Sequence, residues 1–566
     1  MEKKEKLKPK LFSVMKTYSK GQLVKDIISG IIVAIIALPL SIALALASGV
    51  GPQEGLYTAI VAGFVISFLG GSRVQIAGPT AAFATIVAGI VAQYKMEGLI
   101  LATIMAGILL VIFGLCRLGA LIQYIPTTIT TGFTFGIAIT IVVGQLKDFF
   151  GLSFAAIAET PVETMEKLKA VVTCFDTFNW RALVIGLVSL AILFLWPKKW
   201  SVVPASLVAV IVGSVFVAVF KLPVATIGFK ADGSENYVIE AGLPHLIAFK
   251  EMDFSFGMIK QMFPKAVTIA VLAAIESLLS CVVSDGMIGS KHRSNMELVA
   301  QGVGNTASAL FGGIPATGAI ARTAANVKNG GRTPIAGMVH AVVLLLIMVF
   351  LMPYAAMIPM PTIAAILFQV AYNMSGWKTV AHHCKASPKS DVVVLILTLL
   401  LTVFFDLVVA IGVGLVLSAL LFMKRMKDVT DVHGWVYDND LDEETDADNI
   451  GLKEVPKNTR VFEVTGPMFF AASEKFMAVA SETDEDVLII RMRSVPAIDA
   501  TGVLTLEKII EKCEKNEVHI IFSHVNEQPM KALTKAGIVK RVGEENFCAN
   551  IDASLERAKK LFEDEE

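Results

Sequence analysis

The run Ile269-Ala-Val-Leu-Ala-Ala-Ile-Glu-Ser-Leu-Leu-Ser-Cys-Val-Val283 places one acidic residue, Glu276, inside an apolar segment typical of a membrane-spanning helix. An ionisable side chain at bilayer depth costs about 3 kcal/mol. Such side chains therefore tend to line an internal cavity and to serve an ion or a substrate. The alternative is a neutral, hydrogen-bonded glutamic acid with a structural role.

Apolar segments follow one another along most of the chain. The chain has 566 residues, of which 55% are hydrophobic and 17% are charged. Because a hydrocarbon core of about 30 Å requires about 20 apolar residues per helix, the pattern predicts a polytopic helical membrane protein. The fourteen predicted segments lie near residues 24–47, 52–70, 79–93, 98–116, 123–146, 178–196, 201–220, 262–284, 295–312, 318–328, 334–352, 358–376, 390–404 and 406–423.

The distribution of lysine and arginine predicts the orientation in the membrane. If the N-terminus lies inside, nearly every inside connection is basic, whereas the outside connections around 147–177 and 221–260 include several acids. An even number of segments returns the C-terminal tail to the cytoplasm. No short apolar core followed by small residues occurs at the start, so no removable signal peptide is expected. We therefore expect a cytoplasmic segment over 1–23 and a membrane domain over 24–425.

Two clusters of Gly, Pro and Thr open short apolar segments in the two halves of the membrane domain. They are Ala77-Gly-Pro-Thr-Ala-Ala-Phe83 and Ile314-Pro-Ala-Thr-Gly-Ala-Ile320. The halves start near 24 and 262, and the same difference of 238 residues relates Pro79 to Thr317. Paired interruptions of this kind indicate a transporter binding site between inverted repeats. Opposed half-helices would present free N–H groups and positive dipole ends, an anion site without formal charge. Two kinked helices with packing glycines are the alternative.

Three side chains are candidates for ion coupling and charge compensation. Glu276 and Ser280 lie four residues apart and share one helix face. A carboxyl group and a hydroxyl so placed would bind Na⁺ or exchange a proton, and removal from water favours proton exchange. Arg322 lies one turn into the second half-helix, where it would face a bound anion or pair with an acid in the core.

The tail reads as a soluble domain. Residues 426–457 form a predicted linker with an acidic stretch at 438–448, and residues 458–566 form a predicted α/β domain. Asp499 or Thr501 would cap the helix that follows the second strand, and phosphorylation of Thr501 is the alternative. The predicted strands and helices lie at 460–464, 471–482, 487–491, 501–513, 518–522, 527–536 and 553–563.

Several other classes of protein are disfavoured. No phosphate-binding loop of the ATPase type occurs, and no arrangement of nucleophile, base and acid indicates an enzyme. The net charge is −1 and no basic patch with interleaved aromatic residues occurs, so nucleic-acid binding is not expected. Six scattered cysteines without a CxxC pair indicate neither a disulfide framework nor a zinc site. We expect no metal and no cofactor apart from a coupling ion, either H⁺ or Na⁺.

Several motifs occur in a defined order along the chain. They are Gly49-Val-Gly-Pro-Gln-Glu-Gly-Leu-Tyr57, Gly70-Gly-Ser-Arg73, Gly78-Pro-Thr80, Glu276-Ser-Leu-Leu-Ser280, Asp285-Gly-Met287, Gly312-Gly-Ile-Pro-Ala-Thr-Gly318 and Ala321-Arg322. Together they resemble the SulP family of anion transporters (solute carrier family 26) over almost the whole chain. The tail resembles the STAS domain of that family, and Asp499-Ala-Thr-Gly502 matches its strand–helix turn.

The resemblance implies fourteen segments in a 7+7 inverted repeat, divided into core and gate domains, and a homodimer in the cell membrane. It implies an anion site between the third and tenth segments, and Glu276 at the acidic, ion-coupling position of the eighth. Glu276 with Ser280 looks more like proton-coupled members than like a sodium-coupled bicarbonate member with Asp and Thr. The substrate-binding positions carried over by the resemblance are Thr80, Ala81, Phe83, Gly318, Ala319 and Ile320.

Within the family, some stretches look closest to the bacterial C4-dicarboxylate member. They are Ala37–Ala43, Gly70–Arg73, Ala77–Phe83 and Asn373–Ser375. We therefore expect proton-coupled uptake of a C4-dicarboxylate or sulfate by alternating access, with a cytoplasmic partner for the STAS tail. The alternatives are a sodium-coupled bicarbonate symporter, an anion exchanger or channel with a regulatory tail, a membrane-tethered signalling protein and a nucleobase carrier.

Overall fold

The chain folds into two compact units, Met1–Leu415 and Val416–Glu566. The computed structural model describes residues 7–120, 126–155, 157, 161–197, 203–237, 242–247, 255–405, 407–435, 453–469 and 485–563.

The first unit is helical. Its helices are α1 (Leu11–Val14), α2 (Lys20–Ala47), α3 (Pro52–Leu69), α4 (Ala84–Leu115), α5 (Thr127–Phe150), α6 (Thr164–Thr173), α7 (Trp180–Leu195), α8 (Ala205–Phe220), α9 (Phe256–Ile288), α10 (Ser294–Leu310), α11 (Ile320–Lys328), α12 (Ile335–Ala355), α13 (Met360–Ser375), α14 (Trp377–Ala386) and α15 (Lys389–Phe404). A further helix, α16 (Leu407–Val429), begins in the first unit and ends in the second.

The predicted polytopic helical fold is confirmed, because every predicted apolar segment coincides with a helix or part of one. The segments predicted at 79–93 and 98–116 share α4, which is interrupted at Lys95 with φ 55° and ψ −165°. By length and composition, seven of the described helices are able to cross a membrane. The short helices α1, α6 and α14 were not predicted, since none is long enough to span a bilayer.

The helices of the first unit pack in two groups. In one group α10 packs against α3 and α4, α12 packs against α2 and α3, and α9 packs against α4 and α11. In the other group α13 packs against α5 and α7, and α15 packs against α5. Close approach of α4 and α10 depends on Gly107 and Gly302, because a Cβ on Gly302 would overlap the carbonyl oxygen of Gly107. These groups correspond to the predicted core and gate domains.

The first unit also contains a two-stranded sheet of β1 (Ala77–Gly78) and β2 (Thr317–Gly318), and the second unit contains a five-stranded sheet. Its strands lie side by side in chain order, and the first strand is antiparallel to the second while the others run parallel. The strands are β3 (Asp431–Trp435), β4 (Thr459–Thr465), β5 (Val487–Ser494), β6 (His519–Ser523) and β7 (Phe547–Cys548). The helices are α17 (Ala500–Lys515), α18 (Glu527–Lys535), α19 (Ile538–Val542) and α20 (Ile551–Glu563).

Alternating side chains of β5 and β6 enter two apolar cores, one on each face of the sheet. Leu488 and Phe522 pack with Ile509 on one face, whereas Ile489 packs with Leu555 on the other. The predicted α/β tail is thereby confirmed.

One part of the predicted linker 426–457 differs from the expectation, because β3 pairs with β4 as an edge strand. The sequence around 431–435 contains no turn signal that would distinguish a strand from a linker. The acidic stretch 438–448 and the helix predicted at 471–482 lie outside the described residues.

Candidate functional site

Two short strands meet inside the first unit, one from each predicted half. β1 (Ala77–Gly78) pairs antiparallel with β2 (Thr317–Gly318), so that Ala77 lies opposite Gly318 and Gly78 lies opposite Thr317. A single 3₁₀ turn, Ala81–Phe83, leads from β1 into α4, and Ala319 leads from β2 into α11. Because the strands are antiparallel, α4 and α11 leave the pair in opposite directions with their N-terminal ends close to it. The predicted interruptions near 79 and 318 are therefore present, and they lie side by side.

The first half-helix contacts the acidic residue of α9 directly. The hydroxyl group of Thr80 donates a hydrogen bond of 2.9 Å to Oε2 of Glu276. Both side chains are half-buried. Glu276 thus lies beside the start of the first half-helix, close to where an anion would meet the N–H groups of that turn.

Helix α9 also holds the second strand. Oγ of Ser277 lies 2.6 Å from Oγ1 of Thr317 and accepts a 3.1 Å hydrogen bond from the backbone N–H of Gly318. The hydroxyl of Thr317 donates to the carbonyl of Ala273. Sequence reasoning missed Ser277, although its position beside Glu276 in a hydroxyl-rich helix was an available signal.

Ser280, which the sequence analysis grouped with Glu276, forms its hydrogen bond with Thr323. The Ser280 side chain is buried, and its hydroxyl donates a hydrogen bond of 3.4 Å to Oγ1 of Thr323 in α11. Thr323 in turn accepts a bond from the backbone N–H of Ile76. The structure places Glu276 against the first half-helix and Ser280 against the second.

Arg322 is a buried cation whose side chain is 1% exposed. Its Nη2 donates to the backbone carbonyl of Pro79, and within the described parts of the chain no carboxylate forms an ion pair with it. A Cβ at Gly78 would overlap Nη1 of Arg322, so glycine is required for this approach. Of the two roles predicted for Arg322, pairing with an acid in the core is not observed.

The other predicted substrate-binding residues surround the strand pair with different exposure. Ala81, Phe83, Gly318 and Ala319 are buried. Ile320 is 44% exposed at the first position of α11. The backbone N–H groups of Phe83, Gly318 and Ala319 already donate within the structure, to the carbonyl of Thr80, to Oγ of Ser277 and to the carbonyl of Ile76.

In the second unit, the predicted cap at the start of α17 is present. Oδ1 of Asp499 accepts a 2.8 Å hydrogen bond from the backbone N–H of Gly502. Thr501 lies half-buried in the first turn of the same helix. Asp499 therefore acts as the capping residue, while phosphorylation of Thr501 stays a prediction.

No group of three or more His, Cys, Asp or Glu side chains suited to a metal ion occurs among the residues with described positions. Interrupted helices paired at the centre of a polytopic bundle, with a buried cation and an acid beside them, define a membrane transport protein. An α/β unit completes the chain.

The chain belongs to the sulfate permease family, whose model matches residues 23–398. The STAS domain model matches residues 452–558. The predicted membership of the SulP family, with its C-terminal STAS domain, is therefore confirmed. The chain is an anion transporter of that family and not an enzyme.

Two relatives are similar over nearly their full length. YvdB of Bacillus subtilis, whose name describes a sulfate transporter, is 37% identical over 94% of this chain and 97% of its own length. The bicarbonate transporter BicA of Picosynechococcus is 31% identical over 94% of both chains. The expected likeness to a C4-dicarboxylate member stays a prediction, since these names describe sulfate and bicarbonate transporters.

Solved structures show the same fold. The structure of SLC26A9 covers 98% of this chain and 93% of its own, with a TM-score of 0.83 at 18% identity. The transmembrane domain of a cyanobacterial BicA covers 70% of this chain and 98% of its own, with a TM-score of 0.59 at 27% identity.

Proposed function

We propose that this protein is a secondary active transporter that couples the uptake of a small anion to a proton through Glu276. The observation that carries this proposal is the hydrogen bond between Thr80 and Glu276, which joins a titratable group to the start of a half-helix. Candidate substrates are a C4-dicarboxylate, sulfate and bicarbonate. The names of the relatives favour the last two.

Anion binding would use the backbone N–H groups that open the two half-helices next to the strand pair. The first N–H groups of α4 and α11 have no acceptor within their own helices, and both helix dipoles place positive potential at the pair. Arg322 would add a full positive charge that no carboxylate in the described residues neutralises. The proposed binding residues are Thr80, Ala81, Phe83, Gly318, Ala319 and Ile320.

Coupling would follow from the charge of Glu276. An ionised carboxylate beside Thr80 would repel an anion at the same turn, whereas the neutral acid would not. By reciprocity, a bound anion would then favour a bound proton to the same degree. The half-buried carboxyl would load from one side of the membrane and unload on the other as the core domain moves against the gate domain.

Uptake by purified protein in liposomes tests this function. Labelled sulfate, succinate and bicarbonate would be offered separately under an inward proton gradient, an inward sodium gradient and no gradient, with protein-free liposomes as the control. Accumulation above equilibrium under the proton gradient alone is expected for at least one anion. Accumulation only with sodium would support Glu276 and Ser280 as a cation site, the alternative coupling mode.

A channel would give a different result, because it equilibrates an anion without accumulation. Electrical recording in planar bilayers would detect the anion current of a channel, which flows without any accumulation of the anion driven by an ion gradient. A current much larger than the accumulated flux would overturn the transporter proposal in favour of the channel alternative.

Further parts of the proposal concern assembly and location. We expect a homodimer in the cell membrane with both termini in the cytoplasm, and a cytoplasmic partner that contacts the STAS domain near Asp499 and Thr501. Light scattering of the purified protein would establish the dimer. Pull-down with the full chain, compared with a chain bearing Thr501→Ala, would test the partner site.

A further inference from the structure

A second acid, Glu297, lies in the first turn of α10 and is fully buried. Its two carboxylate oxygens accept four hydrogen bonds. Oε2 accepts from the backbone N–H groups of Gly71 at 2.8 Å and Ser72 at 3.1 Å. Oε1 accepts from Nε2 of Gln75 at 2.8 Å and from Nε2 of Gln301 at 3.0 Å.

The donors around Glu297 differ in kind from the donor at Glu276. Among the described residues, the groups that bond to Glu297 are two backbone N–H groups, which cannot accept, and the side-chain amides of Gln75 and Gln301, which present their NH₂ groups. A proton on Oε2 would point at the two backbone donors, and a proton on Oε1 would require one of the two amides to turn its oxygen toward Glu297. Glu276 instead faces the hydroxyl of Thr80, which is able to donate or to accept. The hydrogen bonds as they stand therefore suit Glu297 as a carboxylate, and suit Glu276 in either protonation state.

The loop that Glu297 holds leads directly to β1. Gly71 and Ser72 begin this loop, and Ile76 ends it beside the strand pair. The backbone carbonyl of Ile76 accepts a 2.9 Å bond from the N–H of Ala319. Glu297 therefore positions the segment that carries the first half-helix against the start of the second.

Gln75 connects Glu297 to the second strand. Nε2 of Gln75 packs against Gly318, and a Cβ added to Gly318 would overlap this nitrogen. Oε1 of Gln75 accepts a hydrogen bond of 3.0 Å from Sγ of Cys281 in α9. A single side chain thus links the carboxylate of Glu297, the strand β2 and the helix that carries Glu276.

We propose that Glu297 is a positioning residue for the anion site, and that its ionised carboxylate holds the starts of both half-helices in place through the loop 71–76 and Gln75. The proposal rests on the transport function proposed above. It assigns different roles to two acids of one domain: Glu276 is the titrating group, and Glu297 is an ionised structural group. Substrate affinity should depend on the charge of Glu297 while proton coupling should not.

The test is a Glu297→Gln variant compared with Glu276→Gln in the same liposome assay. The amide of Glu297→Gln keeps the shape but turns an NH₂ group toward N–H donors, so one charged hydrogen bond or more is lost. We expect the KM for the transported anion to rise about tenfold, which corresponds to about 1.4 kcal/mol, with a smaller change in kcat. The pH dependence of uptake should keep its native shape, whereas Glu276→Gln should flatten it.

A second variant covers the case in which Glu297→Gln fails to fold. Gln75→Leu keeps the carboxylate and its bonds to Gly71 and Ser72, but removes the link to β2 and Cys281. It should raise KM in the same direction with native pH dependence. An unchanged KM in the folded variants, or a flattened pH profile for Glu297→Gln, would overturn the proposal.

Failure of the transport function is distinguishable from failure of this proposal. If the native protein transports none of the anions tested, hydrogen exchange of the peptide spanning 70–80 still reports on Glu297. Faster exchange there in Glu297→Gln, with native exchange in the STAS domain, would support its positioning role. Native exchange in both regions would overturn it.

Discussion

Replacement of Glu276 by glutamine is the most direct test of coupling. The substitution keeps the size of the side chain and a partner for Thr80, but removes the ability to carry a negative charge. Because Oε2 of Glu276 lies 2.9 Å from Oγ1 of Thr80, an anion bound one hydrogen bond beyond that hydroxyl would lie about 6 Å from the carboxylate.

The magnitude follows from Coulomb's law. Two unit charges about 6 Å apart, at an effective dielectric constant of about 20, repel each other by about 3 kcal/mol. That energy corresponds to about a hundredfold difference in anion affinity between the neutral and the ionised acid. The native protein should therefore lose affinity for its anion as pH rises and Glu276 ionises. Glu276→Gln should keep the high affinity at every pH.

Counterflow and gradient-driven uptake in liposomes separate these effects. Glu276→Gln should still exchange labelled for unlabelled anion across the membrane, but should no longer accumulate it under an inward proton gradient. Glu97→Gln is the matched control, because Glu97 is an exposed carboxyl on α4, the helix that follows Thr80. Gradient-driven accumulation by Glu276→Gln at the native level would refute the assignment of the coupling role to this residue.

Four other outcomes are expected. Cys116 and Cys384 are exposed, and should react with a membrane-impermeant maleimide only from the cytoplasmic side; labelling from outside would contradict the predicted orientation. Cys513 should stay unlabelled at neutral pH, because burial raises the pKa of its thiol to about 11. The reactive thiolate forms only as the pH approaches that value. Prompt labelling of Cys513 in the folded protein would contradict its burial. Gly78→Ala should destabilise the membrane unit by about 1–3 kcal/mol in thermal unfolding, because the added methyl group would overlap the guanidinium of Arg322. An unchanged melting temperature of the variant would contradict that packing. Arg322→Gln should weaken anion affinity about tenfold or more in the same uptake assay if the buried charge supports the site, and native affinity would remove that role.

The membrane segments were predictable because their signal is local. A helix in lipid satisfies its own backbone hydrogen bonds, so each membrane-spanning helix corresponds to one continuous apolar stretch of sequence. The Gly, Pro and Thr clusters before α4 and α11 were visible for the same reason, since a half-helix must be interrupted within its own few residues. The strand–helix alternation of the tail was also local, although β3 was assigned to a linker and the short elements β7 and α19 were not predicted.

The partners inside the site were not predictable in the same way. Whether Arg322 faces an acid or a carbonyl depends on which backbone lies opposite, and the carbonyl of Pro79 is 243 residues away in the chain. The contact of Ser277 with β2 and the four donors of Glu297 likewise join segments that only helix packing brings together.

The amino-acid sequence by itself determined where the apolar membrane segments lie, the paired interruptions, the acid within α9 and the α/β character of the tail. Only the tertiary structure decided that Thr80 is the partner of Glu276, that Ser280 bonds to Thr323, and that Glu297 is surrounded by N–H donors. The physical reason is the range of the interactions. Hydropathy and backbone hydrogen bonding act within a segment, whereas the hydrogen-bond partners of buried polar side chains are set by close packing between segments far apart in the chain.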